Sequence, residues 1–298
     1  SLGICLRTLQ NRRIEKMKTE KDPFVKSVAL CVIATKRYKG FIESLLESVK
    51  KYFLTQHEIS VFIFADTADY HGWLDLDEYN VCWTQIEHTP FPLPTLFRHR
   101  TLLKKEGELS SFDYVFHCDA DARFVGEIGD EILGEGLTAI QHPSASGNIG
   151  DIPYKPFEIF WELKEGFIQH TFEHNPSSLA YIEPKERKKY FCGAIQGGLS
   201  EKYIEAMKVI AENIDEDLGQ NILARYHDES HWNKYLAENP PSIILPFWYC
   251  FPEPKDGPTR QVAWKKDVYV PEEEEIKMIS LDKNLHGGYH LYRGKARK

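Results

Sequence analysis

Ser27 to Thr35 reads Ser-Val-Ala-Leu-Cys-Val-Ile-Ala-Thr, an apolar run almost without polar interruption. A short run of this kind predicts a strand buried on both faces, as in a parallel sheet covered by helices. After Lys36-Arg37-Tyr38, apolar residues at Phe41, Leu45, Leu46, Val49 and Phe53 recur at helical spacing and predict a helix over 40–53. Ile59 to Asp66 is a second buried strand, ending on an acid. Strand, helix, strand in that order predicts a right-handed parallel crossover and an α/β fold. A ligand is then expected where the polar ends of the strands meet.

Asn80 to Ile86 is a weaker third strand. Pro90, Pro92 and Pro94 break regular structure before Leu96 to Leu109, a basic amphipathic helix carrying Arg98, His99, Arg100, Lys104 and Lys105. The cluster is either a solvated face or, at Arg98, a guanidinium that grips phosphate or fixes nearby carboxylates.

Those carboxylates follow in Phe-Asp-Tyr-Val-Phe-His-Cys-Asp-Ala-Asp-Ala-Arg-Phe, residues 112 to 124. Tyr114, Val115 and Phe116 predict a short buried strand, and the polar turn at Asp119 marks its C-terminal edge. Asp119 and Asp121 lie two apart, so both side chains can reach one cation. Two hard oxygen ligands, with substrate phosphate and water in the other positions, suit Mg²⁺ or Mn²⁺. Turn caps and surface charge are the alternative. His117 and Cys118 do not turn this into a zinc site, because neighbouring side chains on a strand point opposite ways.

Leu137 to Gln141 predicts another strand, followed by a small polar loop from Pro143 to Ile152. Residues 153 to 185 hold Phe157, Phe160, Trp161, Phe167 and Phe172, which fill a second core or line a sugar. Tyr190 to Gly198 reads as a strand entering a glycine turn, where paired glycines allow close approach of a ligand or form a hairpin. Glu201 to Ile214 is an amphipathic helix. Beyond it, Tyr226-His227-Asp228-Glu229-Ser230-His231-Trp232 invites comparison with the His-Glu-x-x-His zinc helix. Asp228 stands where that motif has glutamate, however, and the third ligand is missing. The acids flanked by Tyr226 and Trp232 equally make a sugar-binding wall with a charged group aimed at an anomeric carbon. Ser242 to Phe247 is a short strand, and Glu272 to Glu275 is a solvated acidic run. The basic stretch 276–298, hinged at Gly287-Gly288, is a frayed end or a lid that orders over an anion.

Composition narrows the class. The net charge of -8 argues against a general binder of nucleic acid or anionic membranes. Six cysteines without Cys-x-x-Cys spacing fit reduced thiols in the cytoplasm. The longest apolar runs fall short of the roughly 18 residues of a membrane span. Residues 1–23 are expected to be a flexible or artificial lead, or a short helix, with Met17 as a possible original start. One catalytic domain over 24–298 is the simplest organisation, with a nucleotide half over 24–125, an acceptor half over 126–275 and a basic C-terminal lid over 276–298.

Four stretches, in order, resemble one family: the ABO blood-group and α1,3-galactosyltransferase family of retaining glycosyltransferases, family 6. Val28 to Asp66, with Ala34, Arg37 and Tyr38, is similar to its nucleotide strand, helix and second strand. Asp119-Ala120-Asp121 resembles its metal-binding DVD motif, and Gly193-Ala194-Ile195-Gln196-Gly197-Gly198 resembles its AAIFGG. His227-Asp228-Glu229-Ser230-His231, followed by Asn233-Lys234-Tyr235, resembles its HDESHLNKYF. The likeness covers roughly residues 27 to 293.

The resemblance implies a GT-A fold, with a Rossmann-like mixed sheet flanked by helices. It also implies transfer of galactose or N-acetylgalactosamine from UDP to the 3-hydroxyl of an acceptor galactose, with retention of the α configuration. Carried over by position, Ile33, Ala34, Thr35 and Tyr38 would hold the uridine, and Thr95 and Arg98 would contact donor sugar or ribose. Asp119 and Asp121 would hold Mn²⁺ or Mg²⁺ on the diphosphate. Cys192 and Ala194, with Gly193 between them, fall on the positions that choose the donor sugar. Gln141, Thr171 and Tyr226 fall on acceptor positions. Asp228 would bind donor hydroxyls, and Glu229 would be the carboxylate at the reacting face. Lys283 and Arg293 resemble the tail cations that close over the diphosphate, which favours the lid.

Both aspartates of the pair are kept, favouring metal dependence. Cys192 departs from the family's usual large residues, Pro143 replaces an acceptor-side tryptophan, and Ala194 narrows the pocket towards galactose. The absence of an anchor and stem implies a soluble bacterial or phage form, cytoplasmic, or a trimmed catalytic fragment. Two other classes remain open from sequence: a non-catalytic carbohydrate-binding protein, and a zinc hydrolase built on His227 and His231.

Overall fold

In the computed structural model, which describes residues 24–70, 75–142, 171–253 and 273–281, the first apolar run lies inside a seven-stranded sheet, next to its middle strand. The strands are β1 (Ser27–Ala34), β2 (Glu58–Ala65), β3 (Val81–Gln85), β4 (Tyr114–Cys118), β5 (Ala122–Phe124), β6 (Leu137–Gln141), β7 (Phe191–Leu199), β8 (Ile243–Leu245), β9 (Phe251–Pro252) and β10 (Met278–Ser280). The large sheet runs β3-β2-β1-β4-β7-β6-β8, and β5-β10-β9 form a small second sheet. β1 is parallel to β2 and β4, β2 to β3, and β6 to β8, whereas β7 is antiparallel to both β4 and β6. The parallel pairing of β1 with β2 is what the strand pattern implied, and the mixed sheet is what the family resemblance implied.

The unbroken apolar reading of β1 has a direct cause. Val28, Leu30 and Val32 face the core shared with Ile42, Leu45, Leu46 and Val49 of helix α1 (Ile42–Tyr52). Ala29 and Cys31 face the opposite core, filled by Tyr203, Met207 and Ile210 of α2 (Ser200–Gly219) and by Trp232 of α3 (Asp228–Glu238). Both faces are covered, so polar alternation has no place there. Each large apolar side chain so buried contributes about 1.5–3 kcal/mol.

Three expectations change. The basic helix over 96–109 is instead a series of short turns: Leu93–Leu96, Arg98–Leu102, the three-ten turn Leu103–Lys105, and Glu106–Leu109. Breaks at Phe97 (φ −95°, ψ 19°) and Lys105 (φ −114°, ψ 21°) separate them. Arg98 and His99 are buried, so the solvated-face reading holds only for neighbours such as Arg100 and Lys104, which are exposed. The strand expected over 242–247 is only β8, because Phe247–Cys250 curls into a three-ten turn.

The glycine pair Gly197-Gly198 is not a turn but lies inside β7. A Cβ at Gly197 would meet the ring of Phe116, lie 2.5 Å from the Val115 carbonyl oxygen and lie 2.7 Å from Phe116 Cα. Glycine lets β7 lie against β4 there. Gly197→Ala must push the paired backbones apart, so it is expected to destabilise the fold by about 3 kcal/mol or more. A melting temperature within a degree of wild type would contradict this contact.

The small sheet brings the C-terminal stretch of the described chain to the acidic turn. β10 pairs antiparallel with β5, and the Leu281 N–H donates to the Asp121 carbonyl at 2.8 Å. Residues 1–23, the loop from Pro143, the aromatics Phe157, Phe160, Trp161 and Phe167, and the tail residues Lys283 and Arg293 lie outside the described residues. Among the described residues no helix is long and apolar enough to cross a membrane, and the five cysteines described are free.

Candidate active site

The chain enters β1 and β4 as parallel neighbours but leaves them towards opposite sides of the sheet. Their C-terminal ends therefore open a crevice at the point where strand order reverses. Ile33, Ala34 and Thr35 end β1, and Asp119 follows β4. Thr35 Oγ1 lies 3.2 Å from His88 Nδ1, and its carbonyl accepts the Tyr38 N–H at 3.1 Å. Beside it, Asp66 accepts the Lys36 N–H at 3.1 Å and pairs with Lys39 at 2.7 Å. Burial pushes the Asp66 carboxyl up, but Lys39 and the Lys36 amide outweigh it and hold it below its ordinary range. That anchors the loop after β1. Thr95 turns its hydroxyl to the Pro92 carbonyl at 2.8 Å.

At the end of β4, the Asp119 N–H donates to the Ala194 carbonyl at 2.8 Å, and the Ala122 N–H closes the turn onto the Asp119 carbonyl at 3.0 Å. Asp121 is fully buried, whereas the Asp119 side chain is 32% exposed. Arg98 joins this turn to the helix that carries the second acidic pair. Its Nη2 lies 3.0 Å from Asp119 Oδ1, its Nη1 lies 3.3 Å from Asp228 Oδ2, and Nη1 also donates to the Gly193 carbonyl. Burial works against the guanidinium's charge, but Asp228 and Asp119 more than offset it and raise its pKa. Burial likewise pushes Asp228 up to about 7, with Arg98 opposing. A planar fork that serves Asp119 from one nitrogen and the Gly193 carbonyl from the other, with Asp228 at ion-pair distance, is what the single nitrogen of lysine could not supply.

Gly193 then connects Arg98 to Glu229. Its N–H donates to Glu229 Oε2 at 2.6 Å, and the Tyr190 hydroxyl donates to Oε1 at 2.8 Å. A Cβ at Gly193 would lie 3.2 Å from both Glu229 Cβ and Oε2, so glycine permits this approach. Asn233, one turn along α3, docks the helix on β7: Oδ1 accepts the Phe191 N–H at 2.7 Å, and Nδ2 donates to the Phe191 carbonyl at 2.8 Å. Asp228 and Glu229 sit at the helix N-terminus, where the macrodipole favours negative charge.

A second layer of buried polar groups supports these. His99 Nε2 lies 2.7 Å from Gln196 Oε1, and Gln196 Nε2 donates to the Gly193 carbonyl at 3.3 Å. Burial drops His99 to about 3, with Arg98 adding to the effect, so the ring is neutral. His231 Nε2 faces Asp217 Oδ2 at 3.5 Å, and Ser178 Oγ donates to the same oxygen at 2.6 Å. Burial lowers His231 to about 4, despite Asp217 and Glu173. His227, at φ 53°, packs edge-on against Phe91 instead. The two histidines thus have separate partners, and nothing directs them to one ion as the zinc reading required. Among the described residues no group of three or more His, Cys, Asp or Glu could hold a metal.

The structure thus brings together Arg98, Asp119, Gly193, Ala194, Asp228 and Glu229, with Ile33 to Tyr38 at the neighbouring strand end. Of the expected acceptor residues, Tyr226 meets Tyr190, while Gln141 and Thr171 are placed only through neighbours. Gln141 is in register with Phe191, and Tyr226 lies edge-on to the Tyr190 ring at 6.4 Å. Thr171 is buried next to Phe172, whose ring meets that of Tyr190 at 5.1 Å. Cys192 is almost fully buried, close to the equally buried Cys250. Sequence reasoning gave no role to Tyr190, Gln196, His99 or Asn233. Asn233 and Gln196 lay within matched motifs and so had a signal, whereas His99 and Tyr190 had none, because their partners are distant in sequence.

The family model described as Glycosyltransferase family 6 matches residues 13–277. Histo-blood group ABO system transferase 2 of Rattus norvegicus is 26% identical over 239 residues, which cover 74% of this chain and 61% of that protein. Globoside alpha-1,3-N-acetylgalactosaminyltransferase 1 of Homo sapiens is 25% identical over 268 residues, 89% of this chain and 69% of the relative. O-antigen biosynthesis glycosyltransferase WbnI of Escherichia coli is 25% identical over 263 residues, 86% of this chain and 95% of the relative. The chain spans 61% and 59% of the length of the two rat ABO transferases it matches.

Proposed function

The chain belongs to glycosyltransferase family 6, and from that premise we propose that it moves galactose or N-acetylgalactosamine from UDP to the 3-hydroxyl of a galactose-containing acceptor glycan, retaining the α configuration. The family and the mixed sheet flanked by helices together make it a transferase of GT-A type. The observation that carries the proposal is the bonded chain Asp119–Arg98–Gly193–Glu229, with Asp228 on the same guanidinium. In this reading it ties a phosphate-side acid to a sugar-side acid at the sheet's switch point.

In this reading Ile33, Ala34, Thr35 and Tyr38 hold the uridine, and Thr95 and Arg98 the ribose or donor sugar. Asp228 binds donor hydroxyls, while Cys192 and Ala194 bound the pocket on the side that selects the hexose, favouring galactose. As the bond from the anomeric carbon to the diphosphate breaks, its electron pair leaves with the phosphate oxygen. Positive charge develops on the carbon facing Glu229. Gln141, Thr171 and Tyr226 present the acceptor hydroxyl, whose oxygen bonds to that carbon while its proton passes to the departing diphosphate oxygen. Lys283 and Arg293 are proposed to neutralise the diphosphate, in keeping with the bond from Leu281 to Asp121 just before them.

Asp119 and Asp121 fit a hard divalent ion: both offer carboxylate oxygens, and the exposed portion of Asp119 leaves room for phosphate and water to complete the shell. Bound there, Mn²⁺ or Mg²⁺ supplies positive charge to the leaving diphosphate. We expect purified protein with Mn²⁺ to release UDP slowly from UDP-galactose or UDP-N-acetylgalactosamine, and faster with a galactose-terminated acceptor. Failure to release UDP from any UDP-sugar across an acceptor panel would defeat the proposal. Excess chelator, or Asp121→Asn, should lower turnover on the order of 100-fold, because several kcal/mol of charge stabilisation is withdrawn. Full activity in chelator would make the acidic pair structural.

A further inference from the structure

We propose that Tyr190 sets the orientation of the Glu229 carboxylate and is thereby a positioning residue for transfer, an inference that rests on the role given to Glu229 above. The Tyr190 hydroxyl donates to Oε1 at 2.8 Å while the Gly193 N–H donates to Oε2 at 2.6 Å. Each oxygen has its own donor, so the carboxylate cannot rotate without losing one of them. Both contacts donate to it, one on each oxygen. A donor from an immobile ring fixes geometry better than water would.

The ring is immobile for reasons visible around it. Tyr190 is 2% exposed and meets the rings of Phe172 at 5.1 Å, His142 at 5.8 Å and Tyr226 at 6.4 Å, each at a steep angle. Its carbonyl accepts the His142 N–H at 3.0 Å. The next residue, Phe191, has its N–H and its carbonyl both bonded to Asn233 of the helix that carries Glu229. Strand and helix are locked together one residue from the hydroxyl. Burial, then the nearby charge of Glu229, raises the phenol's pKa well above its ordinary value, so it stays a donor throughout the neutral range. Tyr190 also borders the proposed acceptor residue Tyr226, tying it to the acid at the reacting carbon.

Tyr190→Phe keeps the ring and its packing and removes only the donor. UDP affinity, by calorimetry, and KM for the UDP-sugar should stay within about threefold of wild type, while kcat for UDP release and for transfer falls about 10- to 100-fold, the loss of one hydrogen bond to a charged group. Fluorotyrosine placed at position 190 restores a hydroxyl and should recover most of kcat, which a packing defect would not do. A second readout is independent of turnover. With glutamate carboxyl carbons labelled for NMR, the Glu229 signal, identified by its loss in Glu229→Gln, should move in Tyr190→Phe. Turnover within twofold of wild type, or an unmoved Glu229 signal, overturns the proposal. If wild type releases no UDP from any UDP-sugar and the Glu229 signal still moves, the transferase reading fails while the hold on Glu229 stands.

Discussion

Glu229→Gln is expected to bind UDP as wild type does and to lose transfer on the order of 1,000-fold or more, because a neutral amide faces the carbon on which positive charge develops. The substitution is nearly isosteric and the nucleotide end of the crevice is untouched, so calorimetry with UDP should give an unchanged affinity. The local cost is calculable in kind. Glu229 receives one donor on each oxygen, from Tyr190 and from the Gly193 amide. Glutamine has one acceptor oxygen, so its amide nitrogen meets the other donor. That leaves one group unsatisfied, worth about 1–3 kcal/mol of stability. The variant should therefore melt a few degrees lower yet remain folded. Turnover within a few-fold of wild type would remove Glu229 from the mechanism and leave it a helix-terminal acid.

Arg98→Ala should damage stability and activity together. The guanidinium is 4% exposed, bonded to Asp119 and the Gly193 carbonyl, and paired in charge with Asp228. Removing one partner of a buried ion pair costs about 3–5 kcal/mol, because the surviving charge has nowhere to be solvated. Here the survivor is Asp228, 2% exposed, whose carboxyl burial already pushes up to about 7. Without Arg98 it should take up a proton on folding, so the destabilisation should deepen as pH rises and ease at low pH. Arg98→Lys keeps a charge but has one nitrogen in place of the two-nitrogen fork, so it should regain some of the stability and little turnover. Urea denaturation at several pH values, set beside UDP release, separates the two effects. An Arg98→Ala protein as stable as wild type would mean that the three contacts do not form.

Much of this is legible in the chain itself. Buried strands announce themselves as apolar runs because both faces of β1 are covered, and α1 and α2 show the spacing of one buried stripe each. Short motifs in a fixed order carry the resemblance to glycosyltransferase family 6, since Asp119 and Asp121, the glycine-bearing strand and the helix from Asp228 are each contiguous in sequence. Local pattern misleads where a residue's partner lies far along the chain. The pattern around Arg98 and His99 fits a solvated basic face as well as, at Arg98, a grip on nearby carboxylates, and it is their partners Asp119, Gln196 and Asp228, 21 or more residues away, that bury them. Gly197 and Gly198 read as a turn, yet what they accommodate is the backbone of a neighbouring strand.

Periodicity and motif order, both properties of near neighbours, determined the class of fold, its elements and the identity of the acids. Only tertiary structure decided which of those acids share a guanidinium, that the two histidines have separate partners, and that a tyrosine hydroxyl rests on Glu229. Such contacts join groups brought together by sheet pairing and helix docking, and no rule of spacing along a single chain reports them.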